Sequence, residues 1–211
     1  MLRRLETYGF HPSTTPEQID DLARVLRRTG WFIPEVLDSA VGLNRSDAGV
    51  DLVWEHSYES PAAYAKYMCE PYHICILDRY LLPEAPECIT ASRRELMLGL
   101  MGYEIDGAPF RYDAGIRRIV ALKAEDGFDA FADELRARSG LAVSVVAPNT
   151  MGLEWFPTGW THLWEQAYED DDAMYRAIAD EGEVLAGGPV TEWIDIHYVI
   201  DREDAPAEAG R

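Results

Sequence analysis

The chain has 211 residues, enough for one large domain or two small ones around a sizeable core. Lys and Arg number 19 against 38 Asp and Glu, a net charge of −19, which argues against nucleic acid or an anionic membrane as partner because both reward basic patches. No apolar run approaches the roughly 18 residues of a membrane span, MLRRLETYGF lacks a signal-type segment, and Cys69, Cys75 and Cys88 form no CxxC pair, the pattern of reduced thiols in a cytoplasmic protein.

In chain order, LRRLETYGF (2–10) reads as a strand and IDDLARVLRR (19–28) as an amphipathic helix. Ile19, Leu22, Val25 and Leu26 form the stripe of that helix, with Thr15 as cap and Pro16 in the first turn. Pro34 leads into a strand from Val36 to Leu43, NRSDAG (44–49) is a turn, and DLVWEHSYES (51–60) is a third strand. Ser60-Pro61 opens a second helix to about Met68, and a closing strand is expected near Glu87–Ala91. Residues 92–114 form a connector, expected to be partly helical.

The same order then returns. IRRIVALKA (116–124) repeats the Arg-Arg of the first strand, and FDAFADELRA (128–137) is again an amphipathic helix, through Phe128, Phe131 and Leu135. THLWEQAYED (161–170) repeats W-E-x-x-Y-E 110 positions after its first occurrence. SAVGLN (39–44) aligns with NTMGLE (149–154) at the same spacing, and TEWIDIHYVI (191–200) is an alternating last strand. The expected organisation is therefore a first repeat over 1–91, the connector over 92–114, a second repeat over 115–202, and a tail over 203–211 expected to be disordered.

Alternation puts Leu52, Trp54, His56 and Tyr58 on one face of the third strand, with Val53, Glu55 and Ser57 on the other. Arg4, Glu6 and Tyr8 should share the face of Trp54 and His56. A charged pair under a helix is costly unless it is paired or wet, so this face is a candidate polar pocket, in which Arg4 could hold a carboxylate or enolate and Glu6 or His56 could shuttle a proton. Its counterparts Arg118, Val120 and Leu122 read as ordinary core. A sheet covered by helices on one face must bury the other. The fold class expected is therefore α+β: two ferredoxin-like repeats packed sheet on sheet as an intramolecular, pseudo-dimeric α/β barrel. An internal pair removes the need for a second chain without forbidding a homo-oligomer. The five histidines offer no metal spacing, and G-x-G-x-x-G, P-loop and G-x-S-x-G are absent.

The run YESPAAYAKYMCEPYHICI (58–76) resembles the stress-responsive A/B barrel (Dabb) family of the dimeric α/β-barrel superfamily. The resemblance rests on Tyr58-Glu59-Ser60, Tyr67 and Pro71-Tyr72-His73, and extends more weakly over 115–200. Its best-understood enzymatic relative, olivetolic acid cyclase, closes a polyketide without a cofactor, and its catalytic histidine and tyrosine map by motif onto His73 and Tyr67. Arg4 stands where the family has a strand histidine, Leu26 where it has a helix tyrosine, and Glu183 where the second repeat would have the His73 counterpart. The resemblance thus implies one working site, in the first repeat. There His73 is the general base with Tyr67, and Arg4, Glu6, Tyr8, Trp54 and His56 line a pocket for a small carbonyl-bearing substrate, with no cofactor and no metal. A cofactor-free monooxygenase and a non-catalytic stress or ligand-binding protein are the alternatives.

Overall fold

The computed structural model describes residues 1–91, 100–106, 111, 114–138, 144–150 and 159–205. The chain is α+β, with two four-stranded antiparallel sheets. The first holds β1 (Leu2–Tyr8), β2 (Val36–Leu43), β3 (Leu52–Tyr58) and β4 (Leu100–Glu104), in the order β2-β3-β1-β4. The second repeats that order as β6-β7-β5-β8, with β5 over Ile116–Ala124, β6 over Ser144–Pro148, β7 over His162–Tyr168 and β8 over Val190–Val199. This is the ferredoxin-like strand order in each half.

Helices cover one face of each sheet. Over the first lie α1 (Pro16–Arg27), the short α2 (Thr29–Phe32), α3 (Pro61–Tyr67) and α4 (Asp78–Leu81); over the second lie α5 (Phe128–Arg138), α6 (Asp171–Ile178) and α7 (Glu181–Gly187). The capping signals act as read. Thr15 accepts from the Gln18 amide while Gln18 reaches back to the cap backbone, and Ser60 accepts from the Ala63 amide, so each helix entry satisfies donors that would otherwise be orphaned. Leu22 and Leu26 of α1 pack on Leu52, Trp54 and Tyr58, and Leu135 of α5 packs near Trp164 and Val120.

The other faces share one buried cluster, in which Leu5, Val53, Met101 and Tyr103 of the first sheet meet Ile119, Leu163, Ile196 and Tyr198 of the second. Charge is buried there as well. Arg3 donates to Glu55 at 2.8 Å and to Glu165 at 2.7 Å, and Arg117 pairs with the same two carboxylates. The Tyr103 hydroxyl donates to Glu165 at 2.5 Å and that of Tyr198 to Glu55 at 2.7 Å. Each repeat thus contributes one Arg from its Arg-Arg, the Glu of its W-E-x-x-Y-E, and one tyrosine. Burial alone would raise the Glu165 carboxyl, but Arg3 and Arg117 outweigh it and hold the group at about 2.

Hydrogen bonds also join the sheets at their edges. Val41 and Asp201 exchange backbone bonds at 2.9 and 2.7 Å, and Thr150 donates to the Gly102 carbonyl at 2.8 Å. At Gly42 a Cβ would lie 2.2 Å from the Tyr198 ring and 2.6 Å from the Val199 carbonyl, so this close approach of β2 to β8 requires glycine.

Three expectations are corrected. The fourth strand of the first sheet is Leu100–Glu104; Thr90, in the stretch expected to be that strand, makes only an isolated bridge to Phe10. The partner of SAVGL is SVVAP (144–148), 105 positions on, because Val41 faces Trp54 as Val146 faces Trp164, and Ser39 and Ser144 accept the two indole N–H groups. The additional five positions lie in the β6–β7 connection, where the alignment by Gly-Leu slipped; residues 151–154 of that alignment lie outside the described residues. Finally, the start of the tail is held: Arg28 pairs with Glu203 at 2.7 Å, and the Trp31 indole donates to the Glu203 carbonyl. Residues 206–211 lie outside the described ones.

Removing one member of the buried cluster leaves two arginines facing a single carboxylate. Glu165→Ala is expected to destabilise the protein by about 3–5 kcal/mol in urea unfolding; a loss below about 1 kcal/mol would contradict the weight given to this cluster.

Candidate functional site

The helix-facing side of the first sheet gathers the sequence-predicted residues. Strand register sets Arg4 opposite His56 and Glu6 opposite Trp54. Arg4 pairs with Glu6 at 2.6 Å, the Tyr8 hydroxyl donates to Glu6 at 2.5 Å, and His56 Nδ1 lies 2.7 Å from the Tyr58 hydroxyl. His56 Nε2 faces Glu6 at 3.6 Å, beyond a hydrogen bond. The Trp54 and His56 rings stack at 3.9 Å, and the Arg4 guanidinium lies 4.6 Å over the Tyr64 ring. The Arg4–Glu6 pair is thus a buried one, and burial of Arg4 is outweighed by Glu6, which raises its pKa further.

His73 arrives from above. Helix α3 ends at Tyr67, and the chain re-enters a helical path at Pro71, a residue suited to a first turn. It then widens into a π-helical turn over His73–Leu77 before α4; such turns recur at functional sites. The break brings the Tyr67 and His73 rings to 4.5 Å although six positions separate them. The Tyr67 ring also lies 6.0 Å from that of His56. His73 is 9% exposed and Tyr67 fully buried, so among the seven candidates His73 reaches furthest towards solvent. Asp78 lies 3.9 Å from its Nε2.

Both imidazoles favour the neutral form. Burial pushes His56 down to about 4, against the pull of Glu6. Burial likewise lowers His73, opposed by Asp78 and Glu6. The cluster therefore combines two neutral imidazoles, one cation and one anion under an aromatic roof, an arrangement able to accept and relay a proton. Among the described residues no group of three or more His, Cys, Asp or Glu is placed to hold a metal ion, and no helix is long and apolar enough to cross a membrane.

The same face of the second repeat is built differently. Val120 and Leu122 are core, as read, but Arg118 belongs to an ion cluster. Its Nε and Nη2 reach Asp195 at 2.6 and 2.5 Å, and its Nη1 donates to Gln166 at 2.6 Å and to Glu181. The buried acid is Glu181, whereas Glu183, the residue aligned with His73, is exposed. Sequence reading missed Glu181 and Asp195 because no spacing tied them to Arg118; the signal was Arg118 itself, a cation on a strand with both faces covered.

No protein-family model matches the chain, and no curated protein is similar to it in sequence. Solved structures share its fold. An anthrone oxidase-like protein is 18% identical, with a TM-score of 0.58 over 95% of this chain and 91% of its own. A candidate monooxygenase from Lactobacillus acidophilus NCFM is 10% identical, with a TM-score of 0.56 over 94% and 93%. A chlorite dismutase variant from Candidatus Nitrospira defluvii is 8% identical, with a TM-score of 0.60 over 95% and 91%.

A buried histidine held near 4 gives a defined pH response. Its unfolded form takes a proton near 6.5, so between about 6.5 and 4 the unfolded state binds more protons and stability falls as pH drops. His56→Gln, which installs the residue found at position 166, should flatten the stability profile between pH 6.5 and 4.5 by up to about 1 kcal/mol per pH unit. Urea unfolding at pH 7, 6 and 5 measures this; an unchanged slope would contradict the burial of His56 as a neutral ring.

Proposed function

We propose that the first repeat is a cofactor-independent acid–base site for a carbonyl-bearing hydrophobic or aromatic small molecule, and that the protein is a cyclase, isomerase or lyase. The observation that carries this reading is the asymmetry of two similar halves: the first keeps two neutral imidazoles beside Tyr67, whereas the second fills the equivalent face with an internal ion cluster. The bonds joining β2 to Asp201 and β4 to Thr150 support reading the two sheets as a pseudo-dimeric α/β barrel, and the Tyr67–His73 contact supports the resemblance to stress-responsive A/B barrel proteins.

In this reading His73 takes the proton from a carbon next to a carbonyl. The C–H bond breaks, an N–H bond forms, and the electron pair moves onto the carbonyl oxygen. Asp78 and Glu6 favour the resulting imidazolium, and the buried Arg4 adds positive charge to the site in which the enolate forms. Reprotonation at another carbon gives isomerisation, attack on a second carbonyl of the same molecule gives cyclisation, and expulsion of a leaving fragment gives lysis. A second reading shares the first step: the carbanion is consumed by molecular oxygen, as in a cofactor-free monooxygenase. The names of the anthrone oxidase-like and candidate monooxygenase neighbours favour keeping it.

Exchange of α-protons for deuterium tests the shared step. A panel of aryl ketones incubated with the protein in D2O, followed by proton NMR, should show exchange that His73→Ala reduces by about a hundredfold or more while the circular dichroism spectrum is retained. Equal exchange by His73→Ala overturns the assignment. Oxygen uptake accompanying substrate loss would select the monooxygenase reading.

A further inference from the structure

The two arginines that follow the repeated Arg-Arg register, Arg4 and Arg118, occupy equivalent positions, opposite His56 and Gln166 respectively. Both are 3% exposed. Their surroundings differ. Arg118 has an internal carboxylate along its Nε–Nη2 edge, from Asp195, and a second on Nη1, from Glu181. Arg4 is bonded through Nη2 to Glu6, while its Nε and Nη1 are buried without a hydrogen-bond partner. Buried guanidinium N–H donors without an acceptor cost desolvation, and the Tyr64 ring beside this guanidinium returns no hydrogen bond to them.

The register identifies what is missing. Val120 pairs with Asp195 in the second sheet, and Glu6 pairs with Leu100 in the first. Arg118 pairs with His197, and Arg4 with Gly102. On the edge strand beside Arg4 the acid is therefore replaced by leucine, and the neighbouring imidazole by a residue without a side chain. The ion cluster of the second repeat acts as a template: it displays, with the protein's own Asp195 and Glu181, how a carboxylate sits on this arginine. Adding one carboxylate to Arg4 and Glu6 gives the same balance, one cation and two anions, that Arg118, Asp195 and Glu181 already hold.

We infer that Arg4 is the anion-recognition residue of the first-repeat site, and that its ligand carries a carboxylate that accepts from the Nε–H the protein leaves unmatched, as Asp195 accepts from Nε of Arg118. This rests on the reading of that face as a substrate site and narrows the substrate to an aromatic or hydrophobic carbonyl compound bearing an acid group. The acid anchors the molecule at Arg4 on the sheet, and the carbonyl end lies towards His73 above. A charge-assisted hydrogen bond from a buried guanidinium N–H is strong and directional, so it sets which carbon His73 meets.

The test uses benzoate as the probe and benzamide, equal in shape and uncharged, as its control, with titration followed by the Nε–H resonance of Arg4 in 15N NMR. Benzoate should move that resonance and bind roughly tenfold or more tighter than benzamide. Leu100→Asp, which gives the first repeat the acid that the second has at this register, should weaken benzoate by a similar factor while leaving Arg4 in place. Equal affinity for the two probes, no binding of either, or unchanged benzoate affinity in Leu100→Asp would each overturn the inference. His73→Ala should still bind benzoate. If it does so but deuterium exchange never depended on His73, the anion site stands and the catalytic reading falls; if exchange depends on His73 but benzoate fails to bind, the reverse holds.

Discussion

Four buried charged side chains meet in the cluster that the two sheets share, two arginines against two glutamates. An isolated charge on such a face would cost several kcal/mol in desolvation. Arg3 and Arg117 each span to Glu55 and Glu165, so neither repeat buries a charge that the other does not help to match. The two tyrosine hydroxyls occupy further lone pairs on those carboxylates. Such a network is exacting, since every member must be present for the others to be tolerated. It accounts for the first Arg of Arg-Arg and the first Glu of W-E-x-x-Y-E recurring in both halves.

That constraint also separates the two faces of each sheet. The faces that share the central cluster carry Arg3, Arg117, Glu55 and Glu165. The helix-facing sides carry the repeated Trp, Tyr and second Arg and differ at other positions. His56 has become Gln166, Glu6 corresponds to Val120, and Gly102 to His197. The two helix-facing sides therefore carry different polar groups, Arg4, Glu6 and His56 on one and Arg118, Gln166 and His197 on the other, without disturbing what joins the halves.

Much of this was legible in the sequence. Period-two alternation assigned the residues of β1 and β3 to faces correctly, because both strands are covered on both sides and their side chains have no freedom to turn. The repeated Trp and Tyr were read as core, and Trp54 and Trp164 each donate to an equivalent serine. Glu55 and Glu165 were not read as the centre of the molecule, since their partners Arg3 and Arg117 lie in distant strands and only packing brings them together. The closing strand was misplaced because Glu87–Ala91 has an apolar rhythm, whereas β4 is an edge strand whose residues include a glycine and which pairs with β1 alone. His73 and Tyr67 meet only through the helix break at Pro71, so their contact came from the motif and not from periodicity.

One ion pair between the halves also reaches the central cluster. Arg202, just beyond the last strand, crosses to Asp38 on β2 and also reaches Glu55 at 3.4 Å. Arg202 thus couples the edge where β2 lies to the buried cluster, so that the segment just beyond β8 bears on both at once.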